Sequence, residues 1–340
     1  MATRFVPSLQ EILYRLVGAA TDASLKQPAS ANPGRFPVVV RPETRAFLEA
    51  QAAYLGGSIA GVAGAILDGV AMATQGRDSG AAALRGVAER FGILIKEHDL
   101  SFPAAVEALS DLGITLADLA SVESLQLKLS SPVLRSVAER FYVEYDWLAG
   151  KGDQVFRPTP HCWYKSMEVA AEKLVEAKHS CTETELTLFI KQGADLEMVD
   201  DSHDWSRQPH FLPMLTRSKA LPGGETLQTF EAWDEGRWSY QPCREHIKLV
   251  VYFAYHLGIY VNGRHLAPAD YDLLINGEAL PATVIGRNPR HISWHPDDYV
   301  IPESAVAKET KEWARIVATQ EYSKTFQYFR ELLHREGVES

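Results

Sequence analysis

Apolar and polar positions alternate with period two at the start of the first patterned segment. Phe36, Val38 and Val40 fall on one side, and Arg35, Pro37, Val39 and Arg41 on the other. That is the pattern of a strand with one buried face. The period then changes. Pro42-Glu43-Thr44 suits a helix start, with Pro in the first turn and Glu43 at the positive end of the dipole. Phe47, Leu48, Ala52 and Leu55 form the expected buried stripe of that helix. Gly56-Gly57 ends it and Ser58 caps a second helix with Ile59, Val62, Ala63, Ile66, Leu67 and Val70 at helical spacing. One strand and two such apolar helices cannot cover their own faces, so the segment predicts an obligate homodimer.

Residues 81–153 read as all helical. Leu84, Val87, Ala88, Phe91, Leu94 and Ile95 make one stripe, and Phe102 to Leu112 a second helix that Gly113 breaks. Thr115 caps a third helix, and one longer helix carries Leu134, Val137, Ala138, Phe141, Tyr145 and Leu148. Beyond residue 157 the patterns alternate: a helix Cys162 to Lys178, a strand Glu185 to Lys191, Trp- and His-rich loops, a helix Arg244 to Leu257, a strand Ile259 to Val261, and a helix Val306 to Glu336. This alternation predicts an α+β fold. Gly150, Gly152, Pro158 and Pro160 mark a boundary where composition shifts: six of the seven Trp and ten of the eleven His lie beyond it.

The resulting division is a short amphipathic helix (Ser8 to Gly18) and linker at 1–34, a strand-helix-helix segment at 35–76, a helical segment at 81–153 and an α+β segment at 157–340. Over 340 residues the net charge is −10, which disfavours non-specific coating of nucleic acid. Residues 1–46, by contrast, carry six basic groups (Arg4, Arg15, Lys26, Arg35, Arg41, Arg45) against three acidic ones (Glu11, Asp22, Glu43). Three widely spaced cysteines suggest no disulfide framework and a cytoplasmic setting. Phe5 to Leu16 is interrupted by Glu11 and Arg15, unlike a signal sequence, and Ala52 to Ala73 is too rich in Gly and Ala for a membrane span.

The run FPVVVRPETRAFLEAQAAYLGGSIAGVAGAILDGVA resembles the ribbon-helix-helix family of Arc and MetJ type. The resemblance implies that two chains pair their strands into a ribbon lying in the major groove of double-stranded DNA. Pro37, Val39 and Arg41 would face the groove with Arg35 at the edge, and the amides at Ser58 and Ile59 would hold a phosphate. Pro37 lacks a ribbon donor and Val39 offers only an apolar contact, so base reading falls to Arg41. A dimerisation module without DNA contacts is the alternative for this segment.

GITLADLASVE, followed by SPVLRSVAERFYVEYDWLAGKGD, is similar to the second half of a lambda-repressor-type helix-turn-helix domain. The similarity implies a turn at Gly113, an anchoring pair Leu119 and Val122, a closing Glu123 and a terminal Trp147-Leu148-Ala149-Gly150. Its groove-facing positions would be Leu116, Ala117, Asp118, Ala120 and Ser121. Among these only Ser121 makes an ordinary polar contact, with Arg135 and Arg140 left for the phosphate backbone. A scaffold role is favoured over base reading.

Elsewhere, chemistry is sparse. Cys162, His179 and Cys181 lie near one another in sequence, and His291 and His295 are four apart, but no paired metal-binding motif is present. Cys162 with His246 or His256 is a weak nucleophile pair. No glycine-rich phosphate loop or nucleophile elbow occurs. The aromatic residues after 157 suit a core and also a small-molecule or protein partner site. The expectation is a multidomain, homodimeric, sequence-specific transcriptional regulator of bacterial type, with no cofactor, metal or catalytic residue. An antitoxin-like or assembly protein that uses these segments to oligomerise, and an enzyme tethered to DNA, are the alternatives.

Overall fold

A computed structural model of the chain describes residues 39–55, 58–64, 66–67, 80–196, 208–287, 294–300 and 310–338. The chain divides into two compact units, Met1–Leu84 and Arg85–Ser340.

In the first unit, helix α1 (Pro42–Leu55) opens on Pro42, and the Arg45 N–H donates to the Arg41 carbonyl at 3.0 Å. Leu48 and Ala52 are buried, whereas Phe47, expected on the same stripe, is exposed. Residues 59–64 and 66–67 form α2. Its start is capped as expected: Ser58 Oγ accepts the Gly61 N–H at 3.0 Å. Most of the predicted strand and the expected Ser8 to Gly18 helix before it lie outside the described residues, as do Arg35 and Pro37.

Further helices follow, the first of them beginning at Gly80, just before the Leu84–Arg85 division. These are α3 (Gly80–Glu97), α4 (Phe102–Ala108), α5 (Leu116–Leu119), α6 (Val122–Lys128), α7 (Ser131–Phe141) and α8 (Tyr145–Leu148). Three sequence expectations change here. The third helix is two short ones, because Ser121 caps a new helix by accepting the Ser124 N–H at 3.1 Å. The single longer helix is also two, because Tyr142 turns left-handed (φ 55°) and the Val143 N–H closes onto the Ala138 carbonyl at 3.0 Å. Likewise the second helix stops at Ala108 and tightens into a 3₁₀ turn, Ser110–Leu112, before Gly113 (φ 69°).

Helix α9 (Met167–Ser180) starts five residues later than expected. His161 and Lys165 are both left-handed, and Trp163 is drawn into the core with its indole N–H on the Asp234 carbonyl at 2.8 Å. The strands are β1 (Glu183–Lys191), β2 (His210–Ala220), β3 (Thr226–Ala232) and β4 (Gly236–Arg237). Helix α10 (Gln241–His256) leads into β5 (Tyr260–Leu266), which runs five residues past the expected end of that strand. Then come α11 (Pro268–Ile275), α12 (Pro281–Arg287), α13 (Thr310–Ala318) and α14 (Ser323–Arg335). The expected last helix is thus divided between α13 and α14 by a 3₁₀ turn at Gln320–Tyr322.

The sheet order is β3-β2-β1-β5, with β4 also on β2. β1 and β2 are antiparallel, β2 and β3 antiparallel, and β1 and β5 parallel through α10. β2 and β3 replace loops expected from sequence. β2 holds the unbroken apolar run Phe211-Leu212-Pro213-Met214-Leu215, which has no alternation to reveal a strand and contains a proline.

Two cores flank the sheet. Leu186, Leu188 and Ile190 pack with α9, α10 and α14 through residues such as Leu174, Phe253 and Phe329. Phe189, Leu212, Met214 and Phe230 join Phe91, Leu109, Val137 and Phe141 of the helical segment. The composition shift near residue 155 therefore marks a change of layer inside one core. Each large side chain there contributes about 1.5–3 kcal/mol by leaving water. The whole is a mixed α+β arrangement, and no helix among the described residues is long and apolar enough to cross a membrane.

Candidate functional site

The amino-terminal unit presents an unusual surface. Val39 is 99% exposed and Tyr54 87%, and Phe47, Ile59, Ile66 and Leu67 are also exposed. Arg41 is exposed immediately before α1, and Arg45 pairs with Glu49 one turn on at 2.9 Å. Of the residues expected to read DNA, Val39 and Arg41 precede α1, while Ser58 and Ile59 sit at the start of α2.

Ser121, the remaining expected contact, is exposed but engaged as a helix cap, with its Oγ 3.0 Å from the Ser124 hydroxyl. Asp118 turns back on its own helix start: its carboxylate accepts the Thr115 N–H at 2.9 Å and hydroxyl at 2.6 Å. Those bonds hold its carboxyl below the ordinary range. Leu119 packs against the core, whereas Val122 is exposed. Arg140 forks onto Asp111 at 2.7 and 2.6 Å, and Arg135 lies over the Tyr145 ring at 4.3 Å. These arginines brace the helical segment.

The carboxy-terminal unit contains a cavity of about 690 Å³ on one face of the sheet. Sheet register assembles it. Glu185 lies across from Thr216 on β2 and Tyr260 on β5, and Thr187 across from Met214 and Asn262. Side chains of alternate residues share a face, so the face that is apolar at Phe189, Leu212 and Phe230 becomes polar toward the start of β1. The apolar end is covered by the helical segment; the polar end is the cavity floor.

Glu185 Oε1 accepts the Thr187 hydroxyl at 2.7 Å and the Asn262 Nδ2 at 2.6 Å. Thr187 is 1% and Asn262 2% exposed. Asn262 Oδ1 has no protein hydrogen-bond partner, nor has Thr184 Oγ1 on the cavity wall. Neither position carried a signal in sequence, because Glu185 and Asn262 are 77 residues apart and are joined only by the parallel register of β1 and β5.

The remaining buried charges serve structure. Glu231 binds Arg217 and Lys173, each at 2.6 Å. Arg244 and Lys248 both bind Glu312; although burial opposes ionisation, they bring its carboxyl down to about 2. Glu245 binds Arg315 and the Tyr322 hydroxyl. Cys162 is buried, and that burial pushes its thiol up, so it stays protonated. Burial lowers His246, whose Nδ1 accepts the Lys165 N–H at 3.1 Å. Among the described residues no group of three or more His, Cys, Asp or Glu side chains is placed to hold a metal ion.

Compared with known proteins, the chain matches no family model, no curated protein and no solved structure.

Proposed function

We propose that the protein is a homodimeric, sequence-specific DNA-binding regulator whose amino-terminal unit contacts the duplex and whose carboxy-terminal unit receives a small-molecule signal. The observation that carries this reading is the exposed apolar surface of the amino-terminal unit, Val39, Phe47, Tyr54, Ile59, Ile66 and Leu67, next to the exposed Arg41. Such a surface on a short segment is the kind a second copy of the same segment covers. The excess of basic groups in residues 1–46 supplies the electrostatic attraction to phosphates that the acidic remainder lacks. A dimer places two copies of Arg41 about a two-fold axis, and each guanidinium can donate two hydrogen bonds to a guanine. The capped start of α2 at Ser58 and Ile59 adds a positive helix end for a phosphate.

The helix-turn-helix-like segment supports the reading as a brace. Its exposed helix starts are capped by Asp118 and Ser121, and its arginines are held by Asp111 and Tyr145. Selection of duplexes from a random library by the full-length protein tests the proposal. Enrichment of an inverted repeat supports it, and recovery of unrelated sequences contradicts it.

A further inference from the structure

We infer that the sheet cavity is a binding site for a small molecule bearing a primary amine, held as its ammonium by Glu185, Asn262 and Thr187. Hydrogen-bond polarity sets the character of the site. An ionised carboxylate only accepts, so the Asn262 group 2.6 Å from Glu185 Oε1 is its Nδ2, and the Asn262 Oδ1 is left as an acceptor. The Thr187 hydroxyl also gives its hydrogen to Glu185 Oε1, which leaves its lone pairs. Thus two neighbouring side chains direct hydrogens at one carboxylate oxygen, and the three together offer acceptors beyond it.

Asn262 lines the cavity, is 2% exposed and has no partner for Oδ1. A buried acceptor left unmade is destabilising, and a ligand donor recovers that loss. A primary ammonium has three N–H donors and one positive charge. It matches an acceptor cluster built around a carboxylate better than a hydroxyl does, and a carboxylate ligand would meet repulsion.

Of the two cationic side chains on the cavity wall, Lys178 donates to the Leu257 carbonyl. Arg264 lies across from Phe189, its guanidinium 5.5 Å from that ring's centre, two register steps from Asn262 toward the apolar end. Phe189 and Phe230 provide an apolar wall for the carbon body of the ligand. The volume, about 690 Å³, suits a compact metabolite.

The inference rests on the proposed regulatory role only for its effect on DNA; ligand binding stands by itself. Ligand-observed NMR titration of the full-length protein compares butylamine, 1,4-diaminobutane and 2-phenylethylamine with butan-1-ol, butane-1,4-diol and 2-phenylethanol. At least one amine is expected to saturate the protein and to bind at least about tenfold tighter than its alcohol, the loss expected for one charge-assisted bond. Glu185→Gln should weaken that amine by at least about tenfold, and Ser218→Trp, which fills the cavity, should abolish its binding. Equal binding of alcohol and amine, binding of no amine, or indifference to both substitutions overturns the assignment. The wild-type comparison decides even if a variant fails to fold. Duplex affinity, measured separately, reports on the regulatory role.

Discussion

Under the proposed function, Arg41 and Ser121 would meet a duplex with different resources. Arg41 is exposed and borders α1 only through its carbonyl, whereas the Ser121 hydroxyl is already spent on the start of α6. Arg41→Ala should therefore cost about 1–3 kcal/mol in specific binding and relax one position in each half-site. Ser121→Ala should leave duplex affinity nearly unchanged and cost about 1 kcal/mol of folding stability. Duplex titration and urea unfolding of both variants separate these outcomes. Loss of DNA binding on Ser121→Ala, with Arg41→Ala inert, would move the reader to the helical segment. Ser121 carried a legible cap signal, with Glu123 in the following first turn, but a continuous helical pattern across it hid the break. The Ser58 cap was legible because nothing competed with it: two glycines precede it and an apolar helix follows.

At the level of elements, α1 makes a prediction about assembly. Phe47 and Tyr54 are exposed on the single chain, so shortening them removes little from its own fold. Phe47→Ser or Tyr54→Ser should weaken dimerisation by about 1–3 kcal/mol while leaving the helical content of the chain intact. Sedimentation equilibrium with circular dichroism checks both halves of that statement. A dimer of unchanged affinity would place the contact elsewhere. Helices α1, α3 and α10 were readable because amphipathic spacing and Gly or Pro punctuation are local. β2 was not, since a central strand covered on both faces shows no alternation and Pro213 argues against a strand; nor was the edge strand β3, which buries the polar Thr229 and Glu231 beside its apolar residues. The acceptor cluster was illegible for a related reason: Glu185, Thr187 and Asn262 meet only once the chain has made its parallel crossover.

For the molecule as a whole, the shared core sets where the chain can be divided. Residues 85–156 pack against Phe189, Leu212 and Phe230, so a cut after residue 156 exposes their apolar faces, whereas a cut before Gly80 leaves α3 and that core whole. A fragment ending at 156 should aggregate or melt broadly, and residues 80–340 should unfold cooperatively; scanning calorimetry distinguishes them.

The buried carboxylates predict acid sensitivity with a definite sign. Glu312 ordinarily ionises near 4.5 and is held down to about 2, and Glu231 and Glu245 are also depressed. A depressed carboxyl stabilises the fold above its unfolded value and loses that contribution as pH falls toward the folded one. Stability should thus decline between about pH 4.5 and about pH 2. Glu312→Gln removes the carboxylate facing the 1%-exposed Lys248 side chain and should cost about 3–5 kcal/mol at neutral pH. That variant should also show a shallower decline in acid by urea unfolding.

The central claim is that two chains read one duplex through their amino-terminal units. Titration of the full-length protein against its best selected duplex and a shuffled duplex of equal length, with stoichiometry read from the same complexes, tests it most directly. The account predicts two chains per selected duplex and a preference of at least roughly 10³ over the shuffled one. Equal affinity for both, or one chain per duplex with full specificity, would contradict it.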